Sequence, residues 1–579
     1  MERRVLLAVV LSFVVLYAYQ AFFVPPPPPS LARSSASTTT ETPVAQSPAQ
    51  TASPAVAPTS IKPVVGESVE RDVVVDTATV RAVFTNRGAR IKQWLLKTYR
   101  DDAGQPVNLV PTDQPPDQPL PFSLRIDDGG LTPILNNALY RVVTNEGGSG
   151  KDDAAKPSLL VFEFEDASGL KVRKEFRLEP ESYVITFSAS VRQGDDTPLN
   201  PFVQWGPGLG DVGATSGGGS FFTGNYVQPP QAILHDGKDV VRIVASKVPE
   251  QPVHEGTFRF AGVDDHYFLA AAVSPPQAHV EYRAVTLPVA SDPTRQRQLL
   301  AHTYHFAQPP NGVRFYFGPK QFDVLKSVDG ELVRAIQFGF FAWLAVPLLG
   351  ALKWVYGFVG NYGWAIIILT ILINLAIFPL RQKSVVSMRK MQALQPQLKA
   401  IQDRYAELKV TDPARQKMNT EIMNLYREKG VNPASGCVPM LLTLPVLFAF
   451  YSLLSAAIEL RGASFGGWIH DLSQHDPYYI TPVLMGATMF WQQKITPTSA
   501  DPTQQRMMMI MPLVFSFMFL RAPSGLVIYW FVSNLWAIGQ QYFTNWLIGP
   551  PTVHVARPPA ERRLKNAGSG RTRHAEKRS

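Results

Sequence analysis

The chain contains a single cysteine, Cys437, in 579 residues. No intrachain disulfide is possible, and a thiol beside an apolar run reads as buried and inert rather than as a nucleophile. Charged residues are scarce, 17% against 45% hydrophobic ones, which points to a chain partly held in lipid. No His/Cys cluster has zinc-ligand spacing. "GDVGATSGGGS" is Gly-rich but lacks the Gly-Lys-Ser/Thr ending of a phosphate cradle, so it reads as a loop. The long apolar runs lack carboxylates except Glu459 at one edge, which argues against a proton-coupled transporter. No catalytic residue, cofactor or metal is expected.

What charge there is sits unevenly. The net charge is +9, yet residues 381–436 hold 11 Lys/Arg against 5 Asp/Glu, and residues 550–579 hold 8 against 2. Val5–Val24 is an uncharged apolar run preceded by Arg3 and Arg4. As a helix it would match a hydrocarbon core, and it reads as an uncleaved anchor over 1–24. Further apolar runs lie at about 361–380, 438–458, 478–493, 507–520 and 525–548. Six spans place every basic loop on the side of both termini, so the positive-inside rule predicts an N-in, C-in membrane protein. Residues 338–360 are apolar and aromatic, with Pro347 inside and Lys353 as the only charge, and 331–360 read as an amphipathic helix lying along the outer face.

Residues 25–62 are rich in Pro, Ser, Thr and Ala and form a linker. Residues 63–330 alternate apolar and polar positions. "LLVFEFED" and "LKVRKEFRL" around "ASG" mark a hairpin, and a large all-β sandwich outside the cytoplasm is expected. In "VDDHYF", Asp264 and His266 fall on one strand face. An acid/base pair is conceivable there, but a surface or hydrogen-bonded pair is the commoner outcome.

Between the second and third runs, Met391, Leu394, Leu398, Ile401, Tyr405 and Leu408 recur at spacings of three and four, the seam of a helix pair. Asp412 and Pro413 open a second helix carrying Met418, Ile422 and Leu425. Pro396 should kink the first. This cytoplasmic hairpin, 381–436, serves either to enforce orientation or to capture a greasy segment or anionic lipid through Met388, Arg389, Lys390 and Met391. The basic tail 550–579 likewise sets orientation or binds ribosomal RNA.

The spans carry polar side chains, among them Thr370, Asn374, Gln492, Ser516 and Asn534. Each alone reads as an interhelical hydrogen bond; with short, proline-broken helices they suggest a partly hydrated inner face. The fifth run has 14 residues between Arg506 and Arg521, too few to cross a ~30 Å core without thinning or snorkelling. Arg381 follows Asn374 by seven residues, two turns along one helical face. The pair is either a structural amide with a snorkelling arginine or the lining of a polar groove entered from the cytoplasm.

"NYGWAIIILTILINLAIFPL", "VNPASGCVPMLLTLPVLFAFY", "WIHDLSQHDPYYITPVLMGATMFWQQK" and "MPLVFSFMFLRAPSGLVIYWFVSNLWAIGQQ" resemble the YidC family of bacterial membrane protein insertases, and the resemblance covers essentially the whole chain. It implies a multi-span α-helical protein of the inner membrane and a periplasmic β domain similar in fold to galactose mutarotases without their chemistry. It also implies a five-span core over 361–549 with a hydrophilic groove. The partners implied are nascent membrane proteins, the Sec translocon with SecD/SecF, ribosomes and membrane lipids. The groove would be lined by Thr370, Asn374, Arg381, Gln492, Ser516 and Asn534. A slide for the apolar segment would run over Leu441, Leu444, Pro445, Met511, Pro512 and Phe515. The family commonly has arginine at the position matching Asn374, which is neutral here; Arg381 is the residue placed to substitute for it. Two other functions compete with the insertase: a solute transporter, which predicts inverted repeats not seen here, and a membrane-tethered enzyme acting on periplasmic glycans, which would leave the polar, proline-broken spans unexplained.

Overall fold

The structure, a computed structural model, describes residues 63–101, 104–112, 114–128, 130–144, 158–209, 228–289, 292–405, 414–430, 438–496 and 502–549. All of these but 502–507 fall in one compact unit. The expected anchor, the linker, the "GDVGATSGGGS" loop, Leu408, Asp412, Pro413, Cys437 and the basic tail lie outside the described residues.

From Pro63 to Pro319 the chain is strand-rich, because inward and outward residues alternate. In Lys171–Leu178 every second side chain faces inward. This strand pairs antiparallel with Ser158–Asp166 on one side and Val184–Gln193 on the other. Val184–Gln193 in turn pairs with Val313–Pro319, which pairs with Phe268–Val273, within a sheet of eleven strands among the described residues. A five-stranded sheet built on Ala278–Val289 and Asp292–Phe306 covers its inner face. Trp205 meets Phe317 edge-on at 4.7 Å, and the Tyr304 hydroxyl donates to the Ala261 carbonyl at 2.7 Å. A four-stranded sheet, Asp72 to Asn108, closes one end through Phe84 on Phe176 and Trp94 Nε1 on the Phe317 carbonyl.

Lys174 and His302 are among the polar groups buried in this core. The Lys174 ammonium donates to the carbonyls of Gly88, Ala89 and Phe122, so its three protons are all bonded. His302 is buried between Trp205 and Tyr304, with no partner on either ring nitrogen among the described residues. Burial pushes its pKa down to about 3. A folded pKa below the unfolded ~6.5 means that stability is complete above pH 6.5 and is lost as pH falls below it. His302 is therefore expected to contribute about 2 kcal/mol of destabilisation on going from pH 7.5 to pH 5. His266, lowered to about 4 by burial, acts in the same sense, and Asp265, raised by burial to about 6, acts in the opposite one. The measurement is thus the difference between wild type and His302→Phe. The variant's thermal midpoint should fall less between these two pH values, and parallel curves would refute the assignment.

After the strands and the short helix Phe322–Val328 come, among the described residues, eight helices labelled here α1 to α8. They are α1 (Ala342–Val359), α2 (Tyr362–Ala393), α3 (Gln395–Arg404), α4 (Ala414–Glu428), α5 (Val438–Ala456), α6 (Ile480–Ile495), α7 (Pro502–Met518) and α8 (Ser524–Ile548). By length and composition, α1 and α2 are apolar enough to cross a membrane. The second apolar run ends near residue 380, but its helix continues to Ala393, since Pro379 does not break it. The expected kink at Pro396 is not found. α2 stops at Ala393 and Pro396 sits in the first turn of α3, where its missing N–H leaves no bond unmade. Leu394 and Leu398 pack with Met391, Ile422, Leu425 and Tyr426, so the α3–α4 hairpin closes on the expected seam. Glu421 on α4 accepts from Arg404 and Tyr405 across it.

Candidate functional site

Five helices turn side chains into one space. α2 carries Asn374 and Arg381 on one face because seven residues are two helical turns. Asn374 is buried, and its Nδ2 donates back to the Thr370 carbonyl at 2.8 Å. Its Oδ1 is left to accept from Arg381 Nη1 at 3.1 Å. The guanidinium is thus drawn back along the helix toward Asn374. Gln492 and Gln493 come from α6, and Tyr529, Trp530, Ser533 and Asn534 from α8. Together with Val446 and Leu447 of α5 and Met511 and Pro512 of α7 they enclose a cavity of about 470 Å³. Among the described residues, Arg381 is the one formal charge on its wall, and no carboxylate lines it.

Of the six groove residues named from sequence, Asn374, Arg381, Gln492 and Asn534 line this cavity. Thr370 does not: it is fully buried, and its hydroxyl donates to the Ile366 carbonyl within its own helix. Ser516 does not either. It packs against Gly486 of α6, where a Cβ would stand 1.7 Å from Ser516 Oγ, so it marks a close helix contact. The sequence reading missed Ser533 and Tyr529. Their spacing of four and the neighbouring Asn534 were the available signal, but one polar residue in an apolar run looks the same whether it faces a neighbour or a cavity.

Of the slide residues, Met511 and Pro512 line the cavity mouth, and Phe515 packs on Trp530 at 5.7 Å. Leu513, Val514 and Phe517 on the far side of α7 are exposed. Pro445 lies inside α5; the side chains of Leu441 and Leu444 are outside the described set. In the hairpin segment, Met391 joins the seam, Met388 is half-buried and Lys390 is exposed. Arg389 donates to the Gly549 carbonyl at 2.7 Å, at the C-terminal end of α8, where a cation is favoured.

In the β domain the Asp264/His266 pairing is not formed. The strand ends at Asp264, and the chain turns at the next residues. Asp264 accepts from Lys320 at 2.9 Å, whereas His266 Nδ1 accepts from the Gln228 N–H. A turn, with its backbone N–H groups bonded to Asp265, puts the two side chains on different partners.

Two family models divide the chain. One, described as 60Kd inner membrane protein, matches residues 354–549, and one described as YidC periplasmic domain matches residues 72–351. The membrane protein insertase YidC of Syntrophus aciditrophicus (strain SB) is 35% identical over 574 residues, covering 94% of this chain and 99% of its own length. That of Oleidesulfovibrio alaskensis is 38% identical over 518 residues, covering 86% and 90%. That of Geobacter metallireducens is 36% identical over 574 residues, covering 94% and 98%. Both the β-rich domain and the helical region are thus accounted for, and the chain belongs to the YidC family of membrane protein insertases, inner-membrane proteins with a periplasmic domain and not catalytic enzymes.

Proposed function

We propose that the cavity receives the polar flank of a nascent membrane segment from the cytoplasmic side. The observation that carries this reading is the Arg381 guanidinium held inward on Asn374, in a space otherwise walled by amides, hydroxyls and apolar groups. Such a space lowers the cost of bringing unpaired polar groups to membrane depth. The topology proposed with it has six spans, both termini cytoplasmic, and α1 lying along the outer face. Met388, Arg389, Lys390 and Met391 capture the segment at the base of the hairpin. Its apolar part then moves into lipid along α5 and α7, over Leu441, Leu444, Pro445, Met511, Pro512 and Phe515. Burial of its apolar surface drives release, so no nucleotide is consumed. The Sec translocon, SecD/SecF and ribosomes docked on the basic tail and loops are the partners this reading takes on, with anionic lipid at the hairpin.

The test is a photo-crosslinking amino acid placed at Ile377 or Leu447 on the cavity wall and, separately, at the exposed Val241 of the β domain. Ribosome-stalled chains bearing a short polar flank should be captured from both wall positions. Capture from Val241 alone would overturn this route.

A further inference from the structure

Three of the helices that wall the cavity are fastened at their outer, N-terminal ends to one loop, residues 459–479. The fastening of α2 is by Asn361, whose Oδ1 caps Trp364 N–H while its Nδ2 donates to the carbonyls of Ser464 and Phe465. The absent side chain at Gly363 is what admits Phe465, since a Cβ there would stand 2.0 Å from the ring. α6 is fastened by the buried Asp476. One of its oxygens accepts from Thr481 N–H and hydroxyl, the other from Tyr478 N–H and the Trp468 indole. At the start of α8, Ser524 donates its N–H and its hydroxyl to the Gln474 carbonyl, both at 2.7 Å, and Gly525 N–H donates to Leu472. The loop therefore fixes where three walls begin, roughly 20 Å or less from Asn374 and from the cavity side chains of α6 and α8, and about 28 Å along the helix from Arg381.

The same loop is gripped by the β domain. Arg461 lies over the rings of Tyr267 and Phe268, at 5.3 and 5.2 Å, and donates to the Arg100 carbonyl. Tyr267 also lies beside Ser473 of the loop. On the other side, Lys353 of α1 joins Asp323, in the short helix Phe322–Val328, to Glu459 of the loop. The turn 265–268, which carries no chemistry, is thus half of a joint.

We infer that loop 459–479 is a hub setting the spacing of α2, α6 and α8, and that the β domain contributes to insertion by clamping this hub through Arg461 and Lys353. The inference rests on the reading of the cavity given above. Arg461 and Lys353 are positioning residues: they touch no client and act through the loop. Mutations along a packed path of this kind shift the coupled property several-fold, about 2- to 30-fold.

The experiment uses the full-length protein with Cys437→Ser. Spin labels at Leu375 with Val483, and at Leu375 with Leu535, sit on exposed faces of the three helices. Arg461→Ala should broaden both distance distributions and slow client insertion roughly fivefold. Lys353→Gln, acting from the opposite side of the loop, should do the same, and Lys353→Arg should restore both readouts; this second pair carries the test if Arg461→Ala does not fold. Unchanged distributions, or broadened distributions with undiminished insertion, would overturn the inference. Cross-linking from Ile377 in the unsubstituted protein is read in the same preparation. Its failure would remove the cavity reading while leaving the distance measurement to decide the hub.

Discussion

Replacing Arg381 with leucine is expected to slow insertion of a client whose short flank carries a carboxylate by about thirtyfold. The estimate is electrostatic. A unit charge ~5 Å from a guanidinium, at an effective dielectric near 20, gains about 3 kcal/mol, and part of that is offset by desolvation. Among the described residues nothing else on the wall can replace it, because every other polar lining group is a neutral amide, hydroxyl or indole. A client with a neutral flank should lose only a few-fold, since the guanidinium then offers hydrogen bonds without charge pairing. Asn374→Leu should give a smaller, intermediate loss. It removes the acceptor that holds Arg381 inward and frees the side chain to extend toward headgroups. Rates measured in vesicles containing only the purified protein decide this. If acidic and neutral flanks respond equally to Arg381→Leu, the charge has no part in selection, and Asn374 is a packing amide.

The elements whose apolar period matches their environment were legible from sequence. The antiparallel strands, the hairpin seam and the helices after residue 361 follow from spacing alone, as Lys171–Leu178 and Leu394/Leu398 illustrate. The polar stripe was legible because seven residues close two turns, which placed Arg381 under Asn374 before any contact was known. Three features were not legible. Thr370 and Asn374 look alike in an apolar run, yet one bonds within its own helix and the other faces a cavity; only the packing of α6 and α8 separates them. Ser516 belongs to a contact made possible by Gly486, thirty residues away in sequence. Pro396 is compatible with either a kink or a helix start, and the choice depends on the hairpin closing beneath it.

The β domain's most suspicious residues should prove structural when their partner is removed. Lys320→Met is expected to destabilise the domain by about 3–5 kcal/mol, because it leaves the Asp264 carboxylate buried without a counter-charge. One Asp264 oxygen already has no partner among the described residues, so the pair has no spare hydrogen bond there to fall back on. The double change Asp264→Leu with Lys320→Met should recover most of that loss, since a buried ion pair replaced by packed apolar groups is often near neutral. A thermal or denaturant midpoint on the solubilised protein distinguishes these outcomes. The double variant should also insert clients at close to the wild-type rate. If stability returns and insertion does not, Asp264 or Lys320 has a role beyond holding the strand end at Asp264 against Val313–Pro319. If the single variant is as stable as wild type, the carboxylate has reached water and the interior of the domain is looser than its packing implies. Recovery of both properties would assign Asp264 and Lys320 a structural role. The domain would then act through its grip on the helices, consistent with Tyr267 and Phe268, a few residues beyond Asp264, being where Arg461 is held.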